Sequence, residues 1–238
     1  MKPSKSKSSS KLAAVRLDRR HNAIDLAIRF VLSLTYAICA GLYFNNAYYR
    51  FQNADIMHMD AKMLAQGVSV LAIGLYMLLI GCIYVLRLKP MNKFAGAWPC
   101  TAAILGGFLL SGLLLLNPRT DLPLSIQLLA SLLVLGGNAF AVIILLRLGR
   151  SFSVLPEGRR LVTTGPYKKV RHPLYLAEAV ATLGVLINFL SLWAILLVIV
   201  QIVLQLIRIG YEERVLHETF PEYAIYAKNT ARLIPGIY

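Results

Sequence analysis

Apolar residues run in long blocks along this chain, separated by short polar breaks, at residues 24–44, 63–86, 97–117, 124–146, 174–187 and 189–207. The first four reach the roughly 20 apolar residues that carry a helix across a bilayer. The last two form one apolar run of 34 residues, 174–207, interrupted only around Asn188. As a single helix it would be about 51 Å long at 1.5 Å per residue, against a hydrocarbon core of about 30 Å. Two legs turning at Asn188 fit that thickness. The pattern therefore predicts an all-α fold, a polytopic transmembrane helical bundle of about six spans whose last two form a helical hairpin.

The breaks divide the chain further. Residues 1–22 are rich in Lys and Ser at the start and lack an apolar block, which predicts a disordered basic tail. The first apolar block is long and has no small-residue cleavage pattern, so no signal peptide is expected. Residues 23–146 make a four-span membrane region, and 147–238 a C-terminal region of different character. Asp25 and Arg29 are four apart and predict an intrahelical pair. The stretch 45–62, with Tyr48, Tyr49 and Phe51, is expected as an interfacial loop, and His58 there, between Asp55 and Asp60, as a solvated residue. Gly67, Gly74 and Gly81 recur along one helical stripe, which allows close backbone approach. Gly136-Gly137-Asn138 marks either tight packing or a local deformation. Residues 220–238, FPEYAIYAKNTARLIPGIY, space Tyr223, Tyr226, Ala227, Thr230 and Leu233 helically and predict a C-terminal interfacial helix able to close over a site.

Composition agrees with the blocks: 58% of the 238 residues are hydrophobic and the mean hydropathy is +0.63. The net charge of +14 changes the picture by its placement. With both termini cytoplasmic, 21 of the 25 Lys and Arg fall on the cytoplasmic side, three on the other, and Arg29 within the first span. That is a positive-inside distribution. It accounts for the charge by topology and contact with anionic membrane lipids, and no nucleic-acid partner is expected. Cys39, Cys82 and Cys100 lie in apolar sequence without ligand spacing and are expected as small buried residues, and no metal site is expected.

Candidate chemistry gathers in two polar clusters that a hairpin would return to one membrane face. The first is GPYKKVRHPLY, residues 165–175, and the second RIGYEER, residues 208–214. Pro173 suits the first turn of a helix, so Tyr167 to His172 would sit at a helix mouth whose free N–H groups favour an anionic group. Arg208 and Glu212 share one face of the second leg, and Glu178 lies inside the first. Ionisable groups at such depth are costly and are kept for sites or pairs. The connection 147–164, RLGRSFSVLPEGRRLVTT, leads into the first cluster.

GPYKKVRHPLY, an apolar hairpin, then R-x-x-x-E-E with Leu216, Phe220 and Glu222-Tyr223 resembles the isoprenylcysteine carboxyl methyltransferase family, and more loosely the membrane phospholipid methyltransferases. The resemblance covers about residues 149–237. It implies a cytoplasm-facing pocket for S-adenosyl-L-methionine, with a lipid-side opening for a lipophilic methyl acceptor such as a prenylated cysteine. Carried over, Tyr167, Lys168, Lys169 and Val170 would line the cofactor, largely through backbone. His172 and Tyr175 would contact it from the first leg, and Glu212, with Glu213, from the second. Arg208 would face the reacting carboxylate. The implied reaction is methyl transfer to the carboxylate of an isoprenylcysteine-like acceptor by a multi-pass protein of the bacterial inner membrane or endoplasmic reticulum. An already ionised carboxylate needs alignment and partial dehydration, and no strong base. Other readings are phospholipid amine N-methylation, which needs a base beside the nitrogen, a nicotinamide-dependent membrane sterol reductase, and a non-enzymatic transporter or scaffold. No Gly-rich dinucleotide-type loop is present, which excludes a soluble Rossmann methyltransferase.

Overall fold

The computed structural model describes residues 5–52, 61–91, 96–110, 113, 119 and 121–236, with side chains from residue 22 except that of Ala97. Helices dominate: α1 Lys5–Gln52, α2 Ala61–Leu86, α3 Ala97–Phe108, α4 Leu124–Leu148, α5 Pro173–Asn188, α6 Leu192–Thr219 and α7 Tyr223–Lys228. Four are long and apolar enough to cross a membrane: α1 from Asn22, α2, α4 together with the turn to Ser151, and α6. The described residues form an all-α helical bundle. Helices suit this setting because each satisfies its own backbone hydrogen bonds without water.

Several boundaries differ from expectation. Residues 5–22 belong to α1 instead of forming an irregular tail, since LAAVRL at 12–17 is a good helix former and extends an existing helix without a new nucleus. Of the expected loop at 45–62, residues 45–52 belong to α1 and residues 61–62 to α2, and His58, Asp55 and Asp60 lie outside the described residues. The third apolar block is helical to Phe108, and most of its remainder lies outside the described residues. Most consequentially, α6 does not end at Ile207. It continues to Thr219, so Arg208, Glu212 and Glu213 lie within a helix of 28 residues. At about 42 Å that helix outruns the hydrocarbon core, which lets its polar last turns project beyond it.

The glycine stripe of α2 packs on α1. A Cβ on Gly74 would stand 2.7 Å from the Phe44 ring, and one on Gly81 3.4 Å from the Ser33 carbonyl oxygen. Glycine at these positions therefore sets the α1–α2 distance. On α4 the question left by Gly136-Gly137-Asn138 is settled as packing, because the helix continues through it. A Cβ on Gly137 would lie 2.5 Å from the Ala181 nitrogen of α5, while Gly136 faces open space. Asn138 satisfies itself at this depth by donating to the Val134 carbonyl at 2.8 Å. Cys100 is buried and Cys39 half-buried, but Cys82 lies on the outer face instead of inside, pointing away from the stripe.

The hairpin forms as predicted, with its turn just after Asn188. Ser191 caps α6 by accepting from the Ala194 N–H at 3.2 Å. Its two legs hardly touch each other. Helix α5 packs on α4 and α6 on α3, so the legs splay and leave room between them. After α6 the expected interfacial helix shrinks to the six residues of α7. The chain then runs extended beside the first cluster: Val170 and Ala231 form an isolated parallel bridge, Arg171 N–H donates to the Ala231 carbonyl at 2.8 Å and His172 N–H to that of Arg232 at 3.1 Å. Asn229 is the C-cap of α7, and the segment beyond it pairs with the first cluster instead of continuing the helix.

Candidate active site

The first cluster opens on a tight turn, Gly165–Lys168, in which Gly165 has φ 64°. A side chain there would be strained, and its Cβ would press on the Arg147 guanidinium at 3.0 Å. The turn delivers Tyr167 inward and His172 to the N-cap of α5, with Pro173 in the first helical turn. From α6, Glu213 meets this segment. His172 Nε2 lies 2.7 Å from Glu213 Oε1, Arg171 Nη1 donates to Oε2 at 2.7 Å, and the Tyr223 hydroxyl donates to Oε1 at 2.8 Å. Glu213 is therefore a buried knot joining α5, α6 and α7.

One residue earlier, Glu212 points the other way. The Tyr175 hydroxyl donates to its carboxylate and His172 Nδ1 stands 3.7 Å from it. Its side chain keeps 22% of its surface accessible, toward a cavity of about 490 Å³ between the splayed legs and helices α1, α2 and α4. That volume falls within the range of about 300–1,000 Å³ typical of small-molecule sites. Arg208 enters the same cavity. Its Nη2 donates to the Val154 carbonyl at 3.3 Å, its Cζ lies 5.0 Å from the Tyr175 ring centroid, and its buried Nε has no hydrogen-bond partner. Gly106 of α3 permits that approach, since a Cβ there would stand 3.1 Å from Arg208 Cδ.

Deeper still is Glu178, one turn beyond Tyr175 on α5. It accepts from the Tyr76 hydroxyl of α2 at 2.7 Å and from Gln205 Nε2 of α6 at 3.1 Å. Gln201 Nε2 donates to the Gly106 carbonyl at 2.6 Å. Gln201, Gln205, Arg208 and Glu212 recur at helical spacing in an otherwise apolar helix, and all four line the cavity. That polar stripe was readable in the sequence and adds Gln201 and Gln205 to the site. Tyr36 and Tyr76, contributed by distant helices, left no such signal.

Tyr167, His172, Tyr175, Glu212 and Arg208 thus come together on one cavity, joined by Arg171 and Tyr226. Lys168, Lys169, Val170 and Glu213 do not line it. Lys168 and Lys169 point their side chains outward, and Val170 is buried against the C-terminal segment. The N–H groups of Lys169 and Val170 both bond the Pro166 carbonyl, and those of Arg171 and His172 are taken by Ala231 and Arg232. The backbone donors of residues 169–172 are therefore bonded within the chain itself. Glu213 is spent on its three partners.

A roof of polar residues closes this end. The Tyr226 hydroxyl donates to the Tyr167 carbonyl at 2.6 Å, and burial pushes its pKa up to about 12, so it stays protonated and donating through the neutral range. Burial, with the Glu212 carboxylate adding to it, likewise raises Tyr167 far above the ordinary tyrosine value. On the other side, Asp25 holds Arg29 at 2.7 Å and Arg87 at 2.8 Å, and Glu157 holds Arg159 at 2.5 Å. The predicted Asp25–Arg29 pair is one part of a network that moors the connection 149–164 to α1 and α2. Leu88 N–H to the Arg150 carbonyl and Met91 N–H to that of Gly158, both at 2.8 Å, complete the mooring.

The donor set suits S-adenosylmethionine. Glu212 and Glu178 offer carboxylates to cationic groups, Arg208 offers an unpartnered N–H, and the tyrosines offer ring faces and hydroxyls.

Residues 126–223 match the family described as phospholipid methyltransferase. The chain is 34% identical over 136 residues to the cobalt-zinc-cadmium resistance protein CzcN of Cupriavidus metallidurans, a match covering 55% of this chain and 60% of that one. It is 35% identical over 83 residues to the nickel-cobalt-cadmium resistance protein NccN of Alcaligenes xylosoxydans xylosoxydans, covering 34% of this chain and 38% of that one. The chain thus spans about three fifths and two fifths of the lengths of these relatives.

Proposed function

We propose, from the match of residues 126–223 to the phospholipid methyltransferase family, that the chain is an S-adenosylmethionine-dependent methyltransferase acting on a lipophilic acceptor. The observation that carries this reading is the convergence of Tyr175, Arg208 and Glu212 on one cavity between the splayed legs of the hairpin. The positive-inside distribution supports a cytosolic opening for that end of the bundle.

The bound donor would supply an electrophilic methyl group. Glu212, held by Tyr175, would take a cationic or hydroxyl group of the donor, and Tyr167 and His172 would wall it. The residue resemblance favours an isoprenylcysteine-like carboxylate as acceptor. Arg208 would orient that carboxylate: its Nε is unpartnered, and its place over the Tyr175 ring keeps it rigid and poorly hydrated. The family match favours a second acceptor, a phospholipid amine.

Calorimetry of the detergent-purified chain tests the donor. Wild type binds S-adenosylmethionine and Glu212→Gln binds it at least about tenfold more weakly, the loss of one charge-assisted hydrogen bond. Binding of a reduced nicotinamide in its place would overturn the assignment. Methyl transfer to a farnesylated cysteine analogue gives an alkali-labile ester, whereas transfer to phosphatidylethanolamine gives a stable amine and would reject the carboxylate.

A further inference from the structure

Glu178 is an acidic group of the cavity to which the reading above gives no task. It lies in α5 three residues beyond Tyr175, about 4.5 Å further from the mouth at 1.5 Å per residue. Its carboxylate lines the cavity and is held from two sides, by the Tyr76 hydroxyl and the Gln205 amide. Both donors are neutral, and among the described residues no ion pair is made to it. Arg208 is near enough to feel this charge, but its guanidinium is directed to the Val154 carbonyl and the Tyr175 ring and makes no ion pair with Glu178.

A carboxylate at membrane depth is costly unless a positive charge meets it. A structural tie between α2, α5 and α6 does not explain the charge, since a neutral glutamine at 178 could accept from Tyr76 through its oxygen and donate its amide to the oxygen of a turned-over Gln205. What the charge adds is affinity for a cation in the cavity. With Glu212 nearer the mouth, the carboxylates Glu178 of α5 and Glu212 of α6 both face the space, and Arg208, one turn before Glu212 on α6, lines it with them.

We propose that Glu178 is the counter-charge for the donor's sulfonium, so that the site selects the charged methyl donor over the neutral thioether left after transfer. This rests on the methyltransferase reading and extends it to a residue which that reading leaves unused. The sulfonium is the donor's positive centre next to the methyl, and the reacting end must lie deep enough to meet an acceptor arriving from the bilayer. Glu178 and Arg208 occupy that depth with opposite charges, one suited to the sulfonium and the other to an acceptor carboxylate. Once the methyl has left, the sulfur is neutral, Glu178 loses its partner, and the spent product is held less tightly.

The test is equilibrium binding to the detergent-purified full chain of three ligands: S-adenosylmethionine, S-adenosylhomocysteine, and sinefungin, which carries an ammonium in place of the sulfonium. Wild type binds both cationic ligands at least about tenfold tighter than the thioether, and Glu178→Gln removes that preference while leaving the thioether's affinity within about threefold. Glu178→Asp keeps a preference. Equal loss for all three ligands in Glu178→Gln would make Glu178 a structural tie and overturn the assignment. So would a wild type that binds the thioether as tightly as the cations, a result needing no variant. Gln205→Leu, which removes one tie and keeps the charge, retains the preference; its loss there would count against Glu178. Failure of wild type to bind any of the three sinks the methyl-donor reading and this assignment with it.

Discussion

Nε2 of His172 and Oε1 of Glu213 stand 2.7 Å apart across 41 positions of sequence. This contact closes the hairpin at its polar end, and Glu213 adds Arg171 and Tyr223 to it. Glu213→Ala leaves Arg171 without its anion in a mostly buried place. Breaking such a pair from one side costs roughly 3 kcal/mol or more. The apparent melting temperature in detergent should fall clearly, and less so for Glu213→Gln, which keeps the hydrogen bonds from Tyr223 and His172 possible. An unchanged melting temperature for the alanine variant would remove Glu213 from the structural role assigned to it.

The α4–α5 contact depends on Gly137 and not on its neighbour. Gly137→Ala forces a methyl against the Ala181 nitrogen and should destabilise by about 1–3 kcal/mol. Gly136→Ala meets open space and should be neutral or stabilising by up to about 1 kcal/mol, because alanine is the better helix former. Thermal unfolding of the two variants side by side decides it: similar losses in both would mean that helix α4 needs flexibility here, not proximity.

Arg208 is assigned to the acceptor and not to the donor. Arg208→Ala should leave S-adenosylmethionine affinity within about threefold while lowering methyl transfer by roughly 100-fold or more, the scale for removing one group that aligns a reacting charge. Binding and single-turnover rates measured on the same preparation separate the two. Parallel loss of affinity and rate would refute the assignment.

The Tyr226 hydroxyl roofs the cavity through the Tyr167 carbonyl. Tyr226→Phe removes one neutral hydrogen bond, worth about 1 kcal/mol, and should weaken donor binding about fivefold. With its pKa near 12, the wild-type hydroxyl does not ionise below about pH 11. The ratio of wild-type to variant affinity should therefore be flat from pH 6 to about pH 9; a slope across that range would mean that another group carries the effect.

Much of the bundle was legible in the residue pattern because membrane helices are local objects. A run of about 20 apolar residues must span, satisfy its own backbone and turn at a polar break, whatever its neighbours do. The hairpin at Asn188 followed from length alone, and the stripe Gly67, Gly74, Gly81 from periodicity. Boundaries outside the bilayer were less legible. The helical start at Lys5 and the extension of α6 to Thr219 lie where no hydrocarbon thickness constrains the chain.

The site divides along the same line. Sequence by itself determined which polar residues stand in apolar surroundings: His172, Tyr175, Glu178, Arg208 and Glu212 were each visible as an expense a membrane chain does not keep without a partner. Only the tertiary structure decided their partners. Whether Glu212 or its neighbour Glu213 faces the cavity depends on the rotation of α6 against α5. Whether the N–H groups of Arg171 and His172 are open to a ligand depends on where the last residues of the chain lie, and the Ala231 and Arg232 carbonyls take them. Tyr76 reaches Glu178 across 102 positions. These are pairings between elements distant in sequence, set by how helices pack, and no local rule of composition or spacing contains them.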